Sequence, residues 1–230
     1  MNRQHEMAVI FDMDGVIFDS ERLVVETWVE VAKKYGIEGI EEACAACVGI
    51  NAQATELKMK EIYGEEFPYQ EYKKEASALY HERYDDGRLP TKPGIRELLE
   101  FLHANNIRTA VASSTRRAVV EQEIRDAGLA PFFQKIICGD MVERSKPAPD
   151  IFLKAAEELG VNPEVCYVIE DSYNGIRGAH TAGMHPIMVP DMLPPTDEME
   201  KLAEQIFPSL FEVKDFIGNK KRLQYPHFLL

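Results

Sequence analysis

The segment MAVIFDMDG, residues 7–15, joins five apolar residues to two aspartates and a glycine. A short apolar run that stops at polar residues is typical of a strand buried on both faces, as in a parallel sheet. Four further runs of the same kind follow, at residues 107–112, 135–138, 165–169 and 186–189. The sequence therefore predicts a sheet of five parallel strands that begins with this segment.

Helical patterns lie between the later strands. They cover residues 93–106, 115–127, 149–159 and 173–182. The last three are followed directly by Gly128, Gly160 and Gly183, and a glycine just past a helix is the usual C-terminal stop. Strands and helices that alternate in this way form right-handed crossovers. We therefore expect an α/β fold with a doubly wound, Rossmann-like parallel sheet.

The stretch between the first and second strands is much longer than one crossover. Residues 21–86 contain no convincing strand, but they contain helical patterns at residues 23–35, 52–63 and 69–84. A crossover needs only about a dozen residues. We predict that residues 21–86 form an inserted α-helical cap domain, and that residues 1–20 and 87–230 form the α/β core domain. The pattern after Phe216 is weak, and no element is predicted there.

The overall charge limits the classes of partner. The chain of 230 residues carries 39 acidic and 26 basic side chains, which give a formal net charge of −13. Such a surface repels nucleic acid and anionic membranes, although a local cation can still attract an anionic substrate into a pocket. The sequence has no apolar run of membrane-spanning length and no apolar signal core near Met1. We expect a cytoplasmic monomer or weak dimer that binds neither nucleic acid nor membranes.

Polar residues follow four of the five predicted strands. In chain order they are Asp12 and Asp14, Ser113 and Ser114, Lys146, and Glu170 with Asp171. Each alone could be a helix cap or a turn residue, since Asp and Ser are common in both places. Ligands of an open parallel sheet bind beyond the carboxyl ends of the strands, so these residues should converge at one edge. Their coincidence at four strand ends favours a functional site.

The four carboxylates of this group imply a cation. Carboxylates that cluster repel one another unless a positive charge lies between them. Mg²⁺ prefers oxygen ligands and often bridges a protein to a substrate phosphate. A carboxylate can attack phosphorus, and a second carboxyl group can move the protons that this reaction needs. Lys146 and the hydroxyl of Ser113 could stabilise the charge on the transferred group.

The same residues resemble the four motifs of the haloacid dehalogenase superfamily, in its branch with a helical cap. FDMDGVIFDSE at residues 11–21 is similar to the first motif, and Ser113 in VASS to the second. Lys146 in SKPAPD is similar to the third, and Glu170-Asp171 in VIEDSYNG to the fourth. The motifs occur in the expected order after the expected strands, and the resemblance covers nearly the whole chain.

This resemblance implies a role for each carboxylate. Asp12 would be the nucleophile, and Asp14 the general acid and base that also offers its backbone carbonyl to Mg²⁺. Asp171, supported by Glu170, would complete the metal site. Superfamily members that dehalogenate lack the second aspartate and need no metal, so Asp14 favours phosphoryl transfer. The implied activity is Mg²⁺-dependent hydrolysis of a phosphate monoester of a small metabolite, for example a sugar phosphate.

Within the superfamily the sequence resembles the β-phosphoglucomutase-like phosphatases, and a hexose-phosphate mutase is the alternative. True β-phosphoglucomutases carry a lysine and an arginine where this chain has Val48 and Ala52, and a histidine where it has Val24. A mutase must hold a second phosphate, for which Arg116 and Arg117 are the remaining candidates, although they could equally lie on a solvated helix face. The predicted substrate contacts are Ser114, Arg116, Arg117, Gly49 and Asn51.

Overall fold

The computed structural model describes residues 6–47 and 52–224. Within them a six-stranded parallel sheet has the order β3-β2-β1-β4-β5-β6. The strands are β1 (Ala8–Phe11), β2 (Arg108–Ser113), β3 (Lys135–Cys138), β4 (Cys166–Glu170), β5 (His185–Met188) and β6 (Gln205–Ile206). The helices are α1 (Ser20–Tyr35), α2 (Ile40–Ala45), α3 (Ala52–Tyr63), α4 (Tyr69–Tyr84), α5 (Ile95–Ala104), α6 (Arg117–Asp126), α7 (Asp150–Leu159), α8 (Tyr173–Thr181), α9 (Asp197–Leu202) and α10 (Leu210–Gln224).

β1 lies in the middle of the sheet and is buried on both faces. Its side chains alternate between two apolar layers, with Val9 and Phe11 in one and Ala8 and Ile10 in the other. The first layer packs against α5, α6 and α10, and the second packs against α7 and α8. Helices thus cover both faces, and the doubly wound α/β prediction is confirmed.

The first four helices, α1 to α4, have an apolar cluster of their own. Trp28 of α1 and Tyr72 of α4 lie at its centre with ring centroids 5.0 Å apart, and the Tyr72 hydroxyl donates to the Trp28 carbonyl. At the two ends of this helical segment, the Asp19 amide donates to the Pro90 carbonyl over 3.0 Å. The two connections to the sheet therefore run side by side. The division into core and cap domains is consistent with this packing and stays a prediction.

The structure differs from the sequence predictions mainly outside the first five strands. Helix α1 begins at Ser20 rather than at residue 23, and α2 was not predicted. No element was predicted after Phe216, but helix α10 continues to Gln224. The buried side chains of this helix include Leu210, Val213 and Ile217. Strand β6 has only two residues, too few for a periodic pattern. Among the described residues, no helix combines the length and the apolar character needed to cross a membrane.

The layer that packs against α5 gives a test of the fold. Leu98 of α5 is fully buried, whereas Leu153 of α7 is 41% exposed. We expect Leu98→Ala to lower the free energy of unfolding by about 2–5 kcal/mol, because it removes buried methyl groups and leaves a cavity. Leu153→Ala is the matched control and should cost less than about 1 kcal/mol. Urea denaturation measures both, and equal losses would contradict this packing.

Candidate active site

An ammonium group joins two of the predicted carboxylates. Asp12 follows β1 directly, and Glu170 ends β4, the strand beside β1. The Lys146 Nζ donates to Asp12 Oδ1 and to Glu170 Oε1, each over 2.6 Å, and the Lys146 side chain is only 7% exposed. Burial alone would lower the pKa of Lys146, but the charges of Asp12 and Glu170 outweigh it and raise that pKa. Lys146 therefore stays positively charged between them.

Glu170 is held on both of its oxygens. Its Oε2 accepts from the Asp171 amide over 3.1 Å, the Ser172 amide over 3.1 Å and the Ser172 hydroxyl over 2.9 Å. Gly175 lies so close that a Cβ there would overlap the Glu170 carboxyl group. With Lys146 on its Oε1, this carboxylate has little capacity left for a metal ion. Its contacts suit a residue that positions Lys146 and the chain around Asp171.

Asp14 is oriented by two hydroxyl groups. Ser20 Oγ donates to its Oδ1 over 2.6 Å, and Thr115 Oγ1 donates to its Oδ2 over 3.0 Å. Between Asp14 and Ser20 the chain makes a tight turn at Gly15, which has φ +75°. A side chain at Gly15 would be strained, and its Cβ would collide with Asp171 Oδ2. The turn therefore lets the backbone approach Asp171 closely.

Three carboxylates lie close together, and two of them, Asp12 and Asp171, would hold a divalent cation. Asp12, Glu170 and Asp171 are buried, and each offers an oxygen within 4.8 Å of the others. Burial raises the pKa of Asp12 and of Asp171 well above its usual value, and neighbouring carboxylates add to the shift. A hard cation among these oxygens would favour their ionised forms. The carboxylate of Asp14 does not belong to this group, so its predicted metal contact would have to come from the backbone carbonyl.

The other predicted residues occupy different positions. Ser113 is fully buried, and its Oγ accepts from the Thr115 amide over 3.0 Å. Ser114 and Arg116 are exposed, and Arg117 is exposed with its Nε 2.6 Å from Glu121 Oε1. Their substrate contacts stay predictions. Gly49 and Asn51 lie outside the described residues.

Several residues near the site were missed by sequence reasoning. Thr115 and Ser20, which bind Asp14, lie beside predicted motifs, but the sequence does not show where their hydroxyls point. Glu21 is the last residue of the first motif, and burial together with the charges of Asp14 and Asp191 raises its pKa to about 7. Asp191 lies three residues after β5, and its Oδ1 accepts from the Lys92 Nζ over 2.6 Å. Asp191 follows the fifth predicted strand closely, so the rule that ligands bind beyond the carboxyl ends of the strands could also have identified it.

A further acidic residue lies beside a cavity near the site. The cavity has a volume of about 280 Å³ and is bounded by Phe18, by the chain after α4 and by α6. Glu123 of α6 lines it together with Asp85 and Asp126. Burial, followed by the charges of Asp14 and Asp85, raises the pKa of Glu123 to about 7.

Known proteins are similar to this chain in sequence and in fold. A family model for haloacid dehalogenase-like hydrolases matches residues 9–189. A phosphorylated carbohydrates phosphatase of Thermotoga maritima is 34% identical over 78% of this chain and 83% of its own length. A probable pseudouridine-5'-phosphatase of Drosophila melanogaster is 34% identical over 89% of this chain and 90% of its own. The crystal structure of a β-phosphoglucomutase from Clostridium difficile is similar with a TM-score of 0.74 and 26% identity, over 96% of this chain and 98% of that one.

The raised pKa of Glu123 makes the stability of the chain depend on pH. The folded state binds this proton more tightly than the unfolded state, where the pKa is near 4.5. The resulting stability is present below about pH 4.5 and is lost as the pH rises through 7. We expect Glu123→Gln to abolish this loss, which is on the order of 1–2 kcal/mol after allowance for solvent screening.

Urea denaturation at several pH values from about 4.5 to 7 measures this effect. The quantity compared is the difference in the free energy of unfolding between the wild type and the variant. Glu157→Gln, at an exposed position of α7, is the matched control and should give a difference that does not change with pH. A flat difference for Glu123→Gln as well would contradict the expected shift.

Proposed function

The chain belongs to the haloacid dehalogenase-like hydrolase family, and we propose on this basis that it is a Mg²⁺-dependent phosphatase of small phosphorylated metabolites. The observation that carries the proposal is the pairing of the buried Asp12 carboxylate with Lys146. Asp14 follows Asp12 by two residues, and two hydroxyl groups hold its carboxylate. These groups supply a nucleophile, a fixed cation and an acid. A phosphorylated carbohydrates phosphatase and a probable pseudouridine-5'-phosphatase are among the relatives, which supports this substrate class.

Asp12 is the proposed nucleophile. Its carboxylate oxygen forms a bond to phosphorus while the bond from phosphorus to the ester oxygen breaks, which leaves an aspartyl phosphate and an alkoxide. Lys146, 2.6 Å from Asp12 Oδ1, keeps its charge and offsets the negative charge of the transferred group. The fully buried Ser113 uses its Oγ to accept from Thr115, so its own proton is free to donate to a phosphoryl oxygen.

Asp14 is the proposed acid and base. In its protonated form it gives a proton to the leaving alkoxide, and as a carboxylate it then takes a proton from water. That water attacks the phosphorus of the aspartyl phosphate, releases inorganic phosphate and restores the Asp12 carboxylate. Ser20 and Thr115 hold Asp14 from two sides, so its carboxyl group cannot turn freely away from the reacting atoms.

Asp12 and Asp171, with the backbone of Asp14, would hold Mg²⁺. The donor set consists of oxygen atoms, which suits this ion, and Glu170 keeps Lys146 in place beside it. When bound, the ion offsets the charge of the carboxylates and of the phosphoryl group.

The helices of residues 21–86 are the proposed cap. Helix α1 begins at Ser20, whose hydroxyl contacts Asp14, so a movement of this helix would reach the acid and base directly. The paired connections near Asp19 and Pro90 are suited to be its hinge. Closure over the site would exclude bulk water while the phosphoryl group is transferred.

A hexose-phosphate mutase is the second candidate, because a β-phosphoglucomutase is among the similar structures. The start of α6, where a second phosphate was predicted to bind, argues against it. The Arg117 amide already donates to Asp140 Oδ1 over 3.1 Å, and the Arg117 side chain pairs with Glu121. Arg116 has no carboxylate partner in the described parts of the chain. It is therefore the remaining candidate at this place for binding a second phosphate.

One assay tests both candidates. Sugar and nucleotide phosphates are incubated with the protein and Mg²⁺, and released phosphate and isomerised sugar phosphate are both measured. We expect phosphate release by the wild type and a loss of about a thousandfold or more in Asp12→Asn, because the amide is a poor nucleophile.

Asp215→Asn is the matched control, since Asp215 is exposed on α10, and it should retain the wild-type rate. Isomerisation without net phosphate release would contradict hydrolysis and favour the mutase. Full activity of Asp12→Asn would contradict the assignment of the nucleophile.

A further inference from the structure

A second acidic cluster lies beside the proposed Mg²⁺ site. Glu21 in the first turn of α1, Asp171 after β4 and Asp191 after β5 each offer an oxygen within 4.8 Å of the others. Three separate elements therefore bring their carboxylates to one point. Asp171 belongs to both groups, so the two clusters are joined through this residue.

Two oxygens of this cluster are buried without a partner. Glu21 Oε2 and Asp191 Oδ2 are inaccessible to solvent and accept no hydrogen bond from any described residue. The Asp191 side chain as a whole is only 10% exposed. A buried carboxylate oxygen with no donor is costly, and such groups normally face a hydrogen-bond donor or a cation.

The unpartnered oxygen of Asp191 lies near Asp171, the ligand that the two clusters share. A Cβ built on Gly15 would collide with Asp171 Oδ2 and would lie 3.3 Å from Asp191 Oδ2. These two oxygens therefore lie near each other beside Gly15, whose lack of a side chain lets both carboxyl groups approach the backbone there. The other oxygen of Asp191 is bound by Lys92, so Oδ2 is the one left for a ligand.

The local charges leave room for another cation. Six carboxylates meet in or beside the two clusters, those of Asp12, Asp14, Glu21, Glu170, Asp171 and Asp191. Two ammonium groups oppose them, those of Lys92 and Lys146. One Mg²⁺ would offset two of the four remaining charges, and a phosphate substrate would bring its own negative charge back to the site.

We propose that a second divalent cation binds between Glu21, Asp171 and Asp191 and shares Asp171 with the first. The inference rests on the proposed function in one respect, which is the first ion at Asp12 and Asp171. Its ligands are all oxygen atoms, so it is a hard ion such as Mg²⁺, Mn²⁺ or Ca²⁺. It satisfies the two unpartnered oxygens and offsets the repulsion among the carboxylates. Because Glu21 belongs to α1, this ion also ties the helical segment to the ends of β4 and β5.

Counting bound Mn²⁺ tests this site without any substrate. The full chain is titrated with Mn²⁺ near pH 8, where free carboxylates are ionised, and the free ion is followed by its paramagnetic resonance signal. We expect two equivalents for the wild type and one for the double variant Glu21→Gln/Asp191→Asn. The matched control Glu100→Gln/Asp215→Asn changes one exposed glutamate and one exposed aspartate, and it should keep two.

Thermal unfolding without metal shows whether the double variant folds. It should unfold in one cooperative transition, because the repulsion that the substitutions remove offsets the loss of the Lys92–Asp191 ion pair. The inference would be overturned if the wild type bound only one equivalent of Mn²⁺, as expected if a shared proton satisfies these oxygens. It would also be overturned if the folded double variant bound two equivalents. Either result leaves the first ion and the phosphatase proposal in place. A wild-type chain that binds no Mn²⁺ at all would contradict the first ion as well as the second.

Discussion

The contact of Lys146 with Asp12 and Glu170 is the interaction on which the rest of the site depends. It exists because β1 and β4 are neighbours in register, with Phe11 opposite Ile169, so the residues that follow them are side by side. The Asp12 amide continues this pairing by donating to the Ile169 carbonyl over 2.9 Å. Removing one partner from a buried charge pair costs about 3–5 kcal/mol, because the other charge is left unpaired. The same ammonium therefore binds two carboxylates at the sheet edge and stabilises their positions.

The position of the site could be predicted from the sequence because parallel strands have a simple geometry. The carboxyl ends of parallel strands lie at one edge of the sheet, so Asp12, Ser113 and Glu170 could be placed at that edge once their strands were recognised. Hydroxyl contacts such as Thr115 with Asp14 could not be predicted, since they depend on side-chain directions in loops. Asp191 and Lys92 lie 99 residues apart, and only the tertiary fold shows that they pair. The short β6 and the weakly patterned α10 were missed because packing, not periodicity, determines them.

The helical segment and the sheet edge are coupled through two adjacent residues. Ser20 and Glu21 both belong to the first turn of α1, yet Ser20 contacts Asp14 and Glu21 contributes to the second acidic cluster. A shift of α1 would change the hydroxyl donor of the proposed acid and one ligand of the proposed second ion together. The excess of negative charge around Asp171 thus provides a physical reason why the position of the proposed cap and the charge of the site would depend on each other.

A phosphorylated Asp12 is tested most directly in the Asp14→Asn variant with p-nitrophenyl phosphate. Its leaving group needs no proton, so Asp12 should still be phosphorylated, whereas hydrolysis of the aspartyl phosphate should be slow without a base. We expect a burst of one equivalent of nitrophenol per chain, and mass spectrometry of the quenched protein should find one phosphoryl group on the peptide that contains Asp12. A phosphoryl group on another residue, or steady release of nitrophenol with no burst and no phosphorylated peptide, would contradict the mechanism.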